Sequence, residues 1–290
     1  MSERALAATA LPVVEGRRAD ISPQAAVAWI LIGAVTAIWL FPVAWILLTS
    51  LKTPDEIALP TPRLLFTPTL GNYTRAWFDY KFGEGLANSF IAAGGATVIT
   101  LIVGTLAAYG LTRFPIRGAR HVALTILSLR MMPPISVVLP YYTIFQKLHL
   151  LDTLVGLILI YLTTCLPFAV WLLYGFIREV PRAIDEAAML DGASALGTLW
   201  RFIVPAAAPG IAVTAIFSFL FTWNEFLFAL ILTDRRAVTY PVTISKFLEP
   251  YHVLWGELSA GGMMALVPVC LVLIFFQRYI VRGMTLGAIR

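Results

Sequence analysis

The chain has 290 residues, a net charge of +5, 59% hydrophobic residues and only 13% charged ones. A soluble domain is about 45–50% apolar and about 25% charged, and a single core stops growing near this length; a larger core therefore does not explain the surplus, and apolar runs that cross a bilayer do. The basic residues cluster beside those runs, which reads as membrane orientation rather than nucleic-acid binding, and no residue spacing resembles a metal site.

Residues 1–24 are mixed polar, and the apolar run that follows is longer than a signal-peptide core of about 7–15 residues, so an uncleaved first span is expected. Six stretches reach the bilayer length of about 20 residues. They cover 25–50, 89–112, 122–145, 153–176, 210–232 and 258–280. In lipid every backbone polar group must bond internally, so each is expected as a helix in an all-α, six-span membrane protein. The third holds Arg130, Pro133, Pro134 and Pro140, and a kinked or broken helix is expected there. Cys165 and Cys270 lie in apolar stretches and are expected as reduced, packed thiols. In the second span Gly104 and Ala108 stand four apart, a spacing that allows close helix packing.

An even number of spans places both termini on one side. That side carries twelve cations against eight on the other, and the short loop with Arg113, Arg117 and Arg120 is the clearest vote. Cations orient spans, so the side with 1–24, the second-to-third loop, the fourth-to-fifth loop and 282–290 is expected to be cytoplasmic. Asn72-Tyr73-Thr74 then faces outward and fits a glycosylation sequon, a pattern without meaning in a bacterial protein.

The fourth-to-fifth loop, 178–208, can be decoded residue by residue. Pro181 suits the first position of a helix. Asp185 and Glu186 lie early, where the helix end favours acids. Ala187 and Ala188 form helix with almost no bulk, and Gly192 is a natural stop. Ser194 can cap a second helix, whose apolar face is Leu196, Leu199, Phe202 and Ile203, with Pro205 at its end. The expected product is helix, bend, helix. One surface is small and flat (Ala187, Ala188, Gly192) and carboxylates, Asp191 among them, flank it. By pattern alone it is either a docking surface or a hairpin that only joins two spans.

The segment Glu186-Ala187-Ala188, three residues, Gly192, nine residues, then Phe202-Ile203-Val204-Pro205 resembles the EAA loop of binding-protein-dependent importer permeases. That family's pattern ends Ile-x-Leu-Pro; Phe202 and Val204 depart from it but keep its apolar character. Asn88-Ser89, Ala107-Ala108-Tyr109, Arg113-Phe114, Arg130 to Pro134, Leu151-Asp152-Thr153, Leu166-Pro167-Phe168, Trp223-Asn224-Glu225-Phe226 and Arg282 to Ala288 are similar to the carbohydrate branch, the smaller permease of maltose-type systems. The resemblance runs from about residue 25 to the end. It implies a type I ABC importer permease fold. It also implies that Glu186, Ala187, Ala188, Asp191, Gly192 and Pro205 belong to a coupling helix seated in a cytoplasmic ATPase subunit. The implied partners are a second homologous permease, an ATPase dimer, a periplasmic or lipid-anchored solute-binding protein and membrane lipid, with no nucleic acid. No Gly-x-x-x-x-Gly-Lys-Ser/Thr sequence occurs, so ATP and Mg are expected in the partner ATPase, this chain carrying no cofactor and no enzymatic activity. The implied place is the bacterial inner membrane. The C-terminal stretch is either a frayed tail or a further contact to the ATPase.

Arg130 and Glu225 fall inside expected spans, and intramembrane charges usually face a cavity or a partner. With Tyr141, Trp223 and Asn224 they are candidates for the solute path. A structural clamp against the second permease and a place at the outer headgroup level are the alternatives. Ion-coupled secondary transport is the rival function; it would call for more membrane carboxylates and an internal repeat. A membrane enzyme would need clustered His, Asp or Cys, and His121, His149 and His252 are scattered.

Overall fold

The computed structural model describes residues 23–248 and 252–287, with side chains described up to Gln277. The described residues are helical, and their only β feature is an isolated bridge between Leu248 and Val253. The chain divides into two units at Trp45–Ile46. In the first, the described residues are the body of one apolar helix, α1 (Pro23–Ser50), whose last turn belongs to the second unit.

The second unit continues with α2 (Pro54–Ile57), α3 (Gly71–Thr74), α4 (Phe82–Arg113), α5 (Ala119–Ser128), α6 (Pro134–Lys147) and α7 (Leu154–Glu179). Next come α8 (Arg182–Leu190), α9 (Ala195–Thr198), α10 (Val204–Ala206), α11 (Ala208–Trp223), α12 (Leu227–Leu232), α13 (Tyr240–Ser245) and α14 (Trp255–Gly287). Local chemistry sets many ends. Thr53 and Glu56 form a reciprocal capping box at α2. Thr153 accepts from Gly156 N at the start of α7. Gly118, before α5, has φ +73°, a conformation that costs glycine nothing.

Four helices are long and apolar enough to cross a membrane, and two bent pairs bring the number to six if each pair is one span. The first pair is α5 with its 3-10 turn, then α6, bent by 87° at Met132–Pro133. Pro133 and Pro134 lack N–H donors, and the expected break of the third span lies there. The second pair was not expected. Residues 195–206 meet α11 at 82°. The expected fifth span, 210–232, is not one helix: α11 stops at Trp223, and Asn224, Glu225 and Phe226 are non-helical before α12. Glu225 replaces the helix there, since its carboxylate accepts the N–H groups of Phe228 and Ala229. The helix of the sixth span extends through Gly287, beyond the expected end of the span at 280. Expectations for 1–22 and 288–290 lie outside the described residues.

The centre is the pair α4 and α7, which run parallel: Gly95 faces Ile158, and Gly104 faces Ala169 and Leu173. Lipid supplies no hydrophobic drive between helices, so close contact of small residues does. A Cβ on Gly104 would sit 3.3 Å from Leu173 Cδ1, and one on Gly95 2.9 Å from Ile158 Cδ1. Ala92, Ala93, Ala96 and Ala108 of α4 are wholly buried. Large side chains such as Phe90 and Val98 point outward from the same helix, as lipid-facing residues do. Cys165 is buried as expected, but Cys270 is exposed and not a packed thiol within the described chain. Asn72 is fully buried and donates to Ser50 O and Lys52 O at 2.8 and 2.7 Å, which removes it as a glycan acceptor.

Candidate functional site

Two places collect the chemistry. The first is the end of the bundle where α4 and α7 finish. Helix α8 begins at Arg182, with Pro181 as its N-cap rather than its first residue. It ends in a Schellman turn: Gly192, at φ +83°, donates to Met189 O, and Ala193 donates to Ala188 O. Ser194 then caps α9 through Gly197 N. Pro205 does not terminate that helix. It sits in α10 after a π turn over Leu199–Ile203, and the 82° corner at Ala207 ends the segment. Of the expected apolar face, Leu199 and Ile203 are buried while Leu196 and Phe202 are exposed.

The flat alanine surface is not present as expected. Ala188 is buried at 3% exposure, while Glu186, Ala187, Asp191 and Gly192 are exposed. Consecutive residues on a helix point about 100° apart, so the two alanines cannot share one face. Met189 and Leu190, 53% and 90% exposed, join the outer surface instead.

What holds α8 in place had no local signal in the sequence. Asp185 turns inward, and its Oδ2 lies 3.0 Å from Nε of Arg113 at the end of α4. Both side chains are under 10% exposed. The atoms face each other as an ion pair rather than as an aligned hydrogen bond. Arg113 also donates to Val180 O at 2.9 Å, Arg182 donates to Thr112 O at 3.1 Å, and the Tyr109 hydroxyl approaches Asp185 Oδ1 at 3.5 Å. Arg113 and Asp185 are each visible in the sequence, one as an orienting cation and one as a helix-start acid. Only the parallel alignment of α4 and α7 brings them together.

The second place is a cavity of about 660 Å³, within the range of small-molecule sites. Arg130, Tyr141 and Glu225 all line it, although they come from the turn before α6, from α6 itself and from the break before α12. The Arg130 guanidinium lies over the rings of Phe221, at 3.9 Å, and Phe168, at 5.2 Å. That contact offsets part of the cost of a charge in an apolar wall. Trp223 and Asn224 are not lining residues of this cavity. Trp223 is 1% exposed and stacks between Phe219 and Tyr240, with centroids 5.4 and 4.8 Å away. Asn224 accepts from the Tyr240 hydroxyl and donates to Leu220 O.

At the end of the bundle opposite α8, Asp152 gathers the 233–239 loop. Its carboxylate accepts the N–H groups of Asp234, Arg235, Arg236 and Ala237 at 3.0–3.3 Å. Burial raises the Asp152 pKa, but these backbone donors more than reverse that and hold it below the usual carboxylate value. Asn88 donates to Arg236 O and Val238 O, and Ser89 accepts from Tyr240 N. Stretches that carried only a resemblance, Asn88-Ser89 and Leu151-Asp152-Thr153, thus act on one loop.

Residues 100–286 match the family described as binding-protein-dependent transport system inner membrane component. The chain is 36% identical over 267 residues to the trehalose/maltose transport system permease protein MalG of Thermococcus litoralis, covering 90% of this chain and 96% of that one. It is 34% identical over 253 residues to the sulfoquinovosyl glycerol transport system permease protein SmoH of Agrobacterium fabrum, covering 87% and 89%. Its fold is like that of a chain in the crystal structure of a bacterial ABC transporter involved in the import of the acidic polysaccharide alginate. The TM-score is 0.71 at 23% identity, over 88% of this chain and 95% of that chain. The chain belongs to the binding-protein-dependent transport system inner membrane component family.

Proposed function

We propose that this chain is the smaller permease subunit of an ATP-driven importer of a sugar or polyol, working beside a second, homologous permease. Its cytoplasmic partner is an ATPase dimer that holds ATP and Mg, and a periplasmic or lipid-anchored binding protein delivers the solute. Both termini and α8 lie on the cytoplasmic side, where the short arginine-rich loop orients them. The observation that carries the reading is the two-sidedness of α8. Its inner face is tied to α4 through Asp185 and Arg113, and its outer face presents Glu186, Ala187, Met189 and Leu190 without a cover among the described residues. A partner that grips the outer face and moves carries α4 with it, since a packed, ion-paired joint moves as a unit. ATP-driven closure of the ATPase dimer then biases the spans between two states. The Schellman turn at Gly192 and the cap at Ser194 keep the elbow stiff enough to push. Asp191 flanks that elbow and Pro205 stands at its far corner.

The 660 Å³ cavity is the candidate solute path, with Arg130, Tyr141 and Glu225 as its polar groups. Trp223 and Asn224 take the structural role beside it. The names of the relatives, which carry trehalose, maltose or sulfoquinovosyl glycerol, support a carbohydrate. Ion-coupled transport is disfavoured, because Glu225 already gives both carboxylate oxygens to backbone donors.

The test is uptake by vesicles that contain the assembled transporter. Glu186→Lys, or Gly192→Asp, is expected to leave the chain in the membrane at normal level and abolish ATP-driven uptake. Normal uptake by both variants, or undiminished uptake without the ATPase, defeats the reading.

A further inference from the structure

A second cavity, of about 600 Å³, lies where α4, α5, α7 and α8 meet. Its wall includes Arg113, Arg120, Arg178 and Arg182, with Glu179 as the lining carboxylate. Arg113 is neutralised by Asp185. Arg182 uses one nitrogen on Thr112 O and has no ion partner among the described residues. Arg120 and Arg178 form no ion pair or hydrogen bond among the described residues, and both are exposed. After Glu179 and Asp185 are counted, the pocket keeps an excess of two positive charges, from four arginines and two acids. Guanidinium groups match the oxygens of a phosphate in geometry as well as in charge.

The surroundings decide what carries that phosphate. The pocket sits at the ends of two helices long enough to cross a bilayer, which is the depth of lipid headgroups. Phe114 and Ile116, in the wall of the pocket, are 52% and 44% exposed, and Leu124, one helical turn beyond Arg120 on the same face of α5, is 39% exposed, so an apolar strip runs from the pocket onto α5. A soluble anion, or an acidic loop of another protein, would leave this strip in water. A phospholipid covers it with an acyl chain while its headgroup fills the pocket. We propose that this pocket is a binding site for one anionic phospholipid, its phosphate held by Arg120 and Arg178 and its acyl chain laid on α5. The site is separate from the exposed face of α8, so it stands whether or not α8 couples to an ATPase.

The test is native mass spectrometry of the transporter extracted from vesicles of phosphatidylglycerol and phosphatidylethanolamine. The wild-type chain is expected to retain one phosphatidylglycerol in preference to phosphatidylethanolamine. Each arginine removed near a membrane surface should weaken this by roughly fivefold. Arg120→Gln alone should show one such step and Arg120→Gln with Arg178→Gln two, whereas lysine at both positions should keep most of the retention. Equal retention by the double variant, or no preference over phosphatidylethanolamine, overturns the proposal. Displacement of the lipid by millimolar inorganic phosphate would make the ligand a free anion and also overturn it. So would loss of the lipid whenever the partner subunits are bound, with crosslinks from position 120 to a partner.

Discussion

The two ends of the bundle use a carboxylate in opposite ways. At the α8 end, Asp185 faces one guanidinium, and each side chain stands on a different helix. At the other end, Asp152 faces four backbone N–H groups of a single loop. The first arrangement joins two rigid bodies through their side chains, so a push on one helix reaches the other. The second fixes the shape of a loop and joins it to the start of α7. A carboxylate's part in a machine is therefore set by what its partner is attached to.

Removing the inner member of the ion pair should show the largest effect. Asp185→Ala leaves Arg113 buried without a counter-charge, and breaking such a pair costs about 3–5 kcal/mol. The melting temperature of the purified chain in detergent should fall accordingly. An unchanged melt would place the pair with exposed ones and remove the contrast between the two ends.

Asp152→Asn should act locally instead. Hydrogen exchange at the amides of Asp234 to Ala237 should accelerate by about tenfold or more, with little change near α8. The pH dependence sharpens this. The Asp152 pKa is held low in the folded chain, so its contribution is fully present above the ordinary carboxylate value of about 3.9 and is lost as pH falls through the lower folded value. Wild type should therefore lose loop protection in acid, and Asp152→Asn should lack that step. Identical acid profiles would break the assignment. Smallest of all, Ser194→Ala removes one cap and should cost about 1 kcal/mol, read from thermal melts; no loss would mean that packing of Leu199 and Ile203 alone holds the elbow.

Much of this was legible beforehand because its causes are local or compositional. Apolar runs marked the spans, Gly192 and Ser194 marked the bend, and paired prolines marked the break before α6. The break at Asn224 to Phe226 was hidden because the residues around it remain apolar, and a side chain rather than a proline ends the helix there. The placing of Trp223 in a core was equally hidden, whereas Arg130 in a cavity is one of the two places open to an intramembrane charge.

By itself the sequence determined that the chain is helical, that it crosses a membrane, and that it carries a capped elbow between its fourth and fifth spans. These follow from hydropathy, from backbone conformations open to glycine, and from caps that act within four residues. Only the tertiary structure decided which face of that elbow is held and which is free. The parallel approach of α4 and α7, allowed by Gly95 and Gly104, brings Arg113 to Asp185. Contacts between residues distant in the chain depend on how helices align, and no local pattern encodes that alignment.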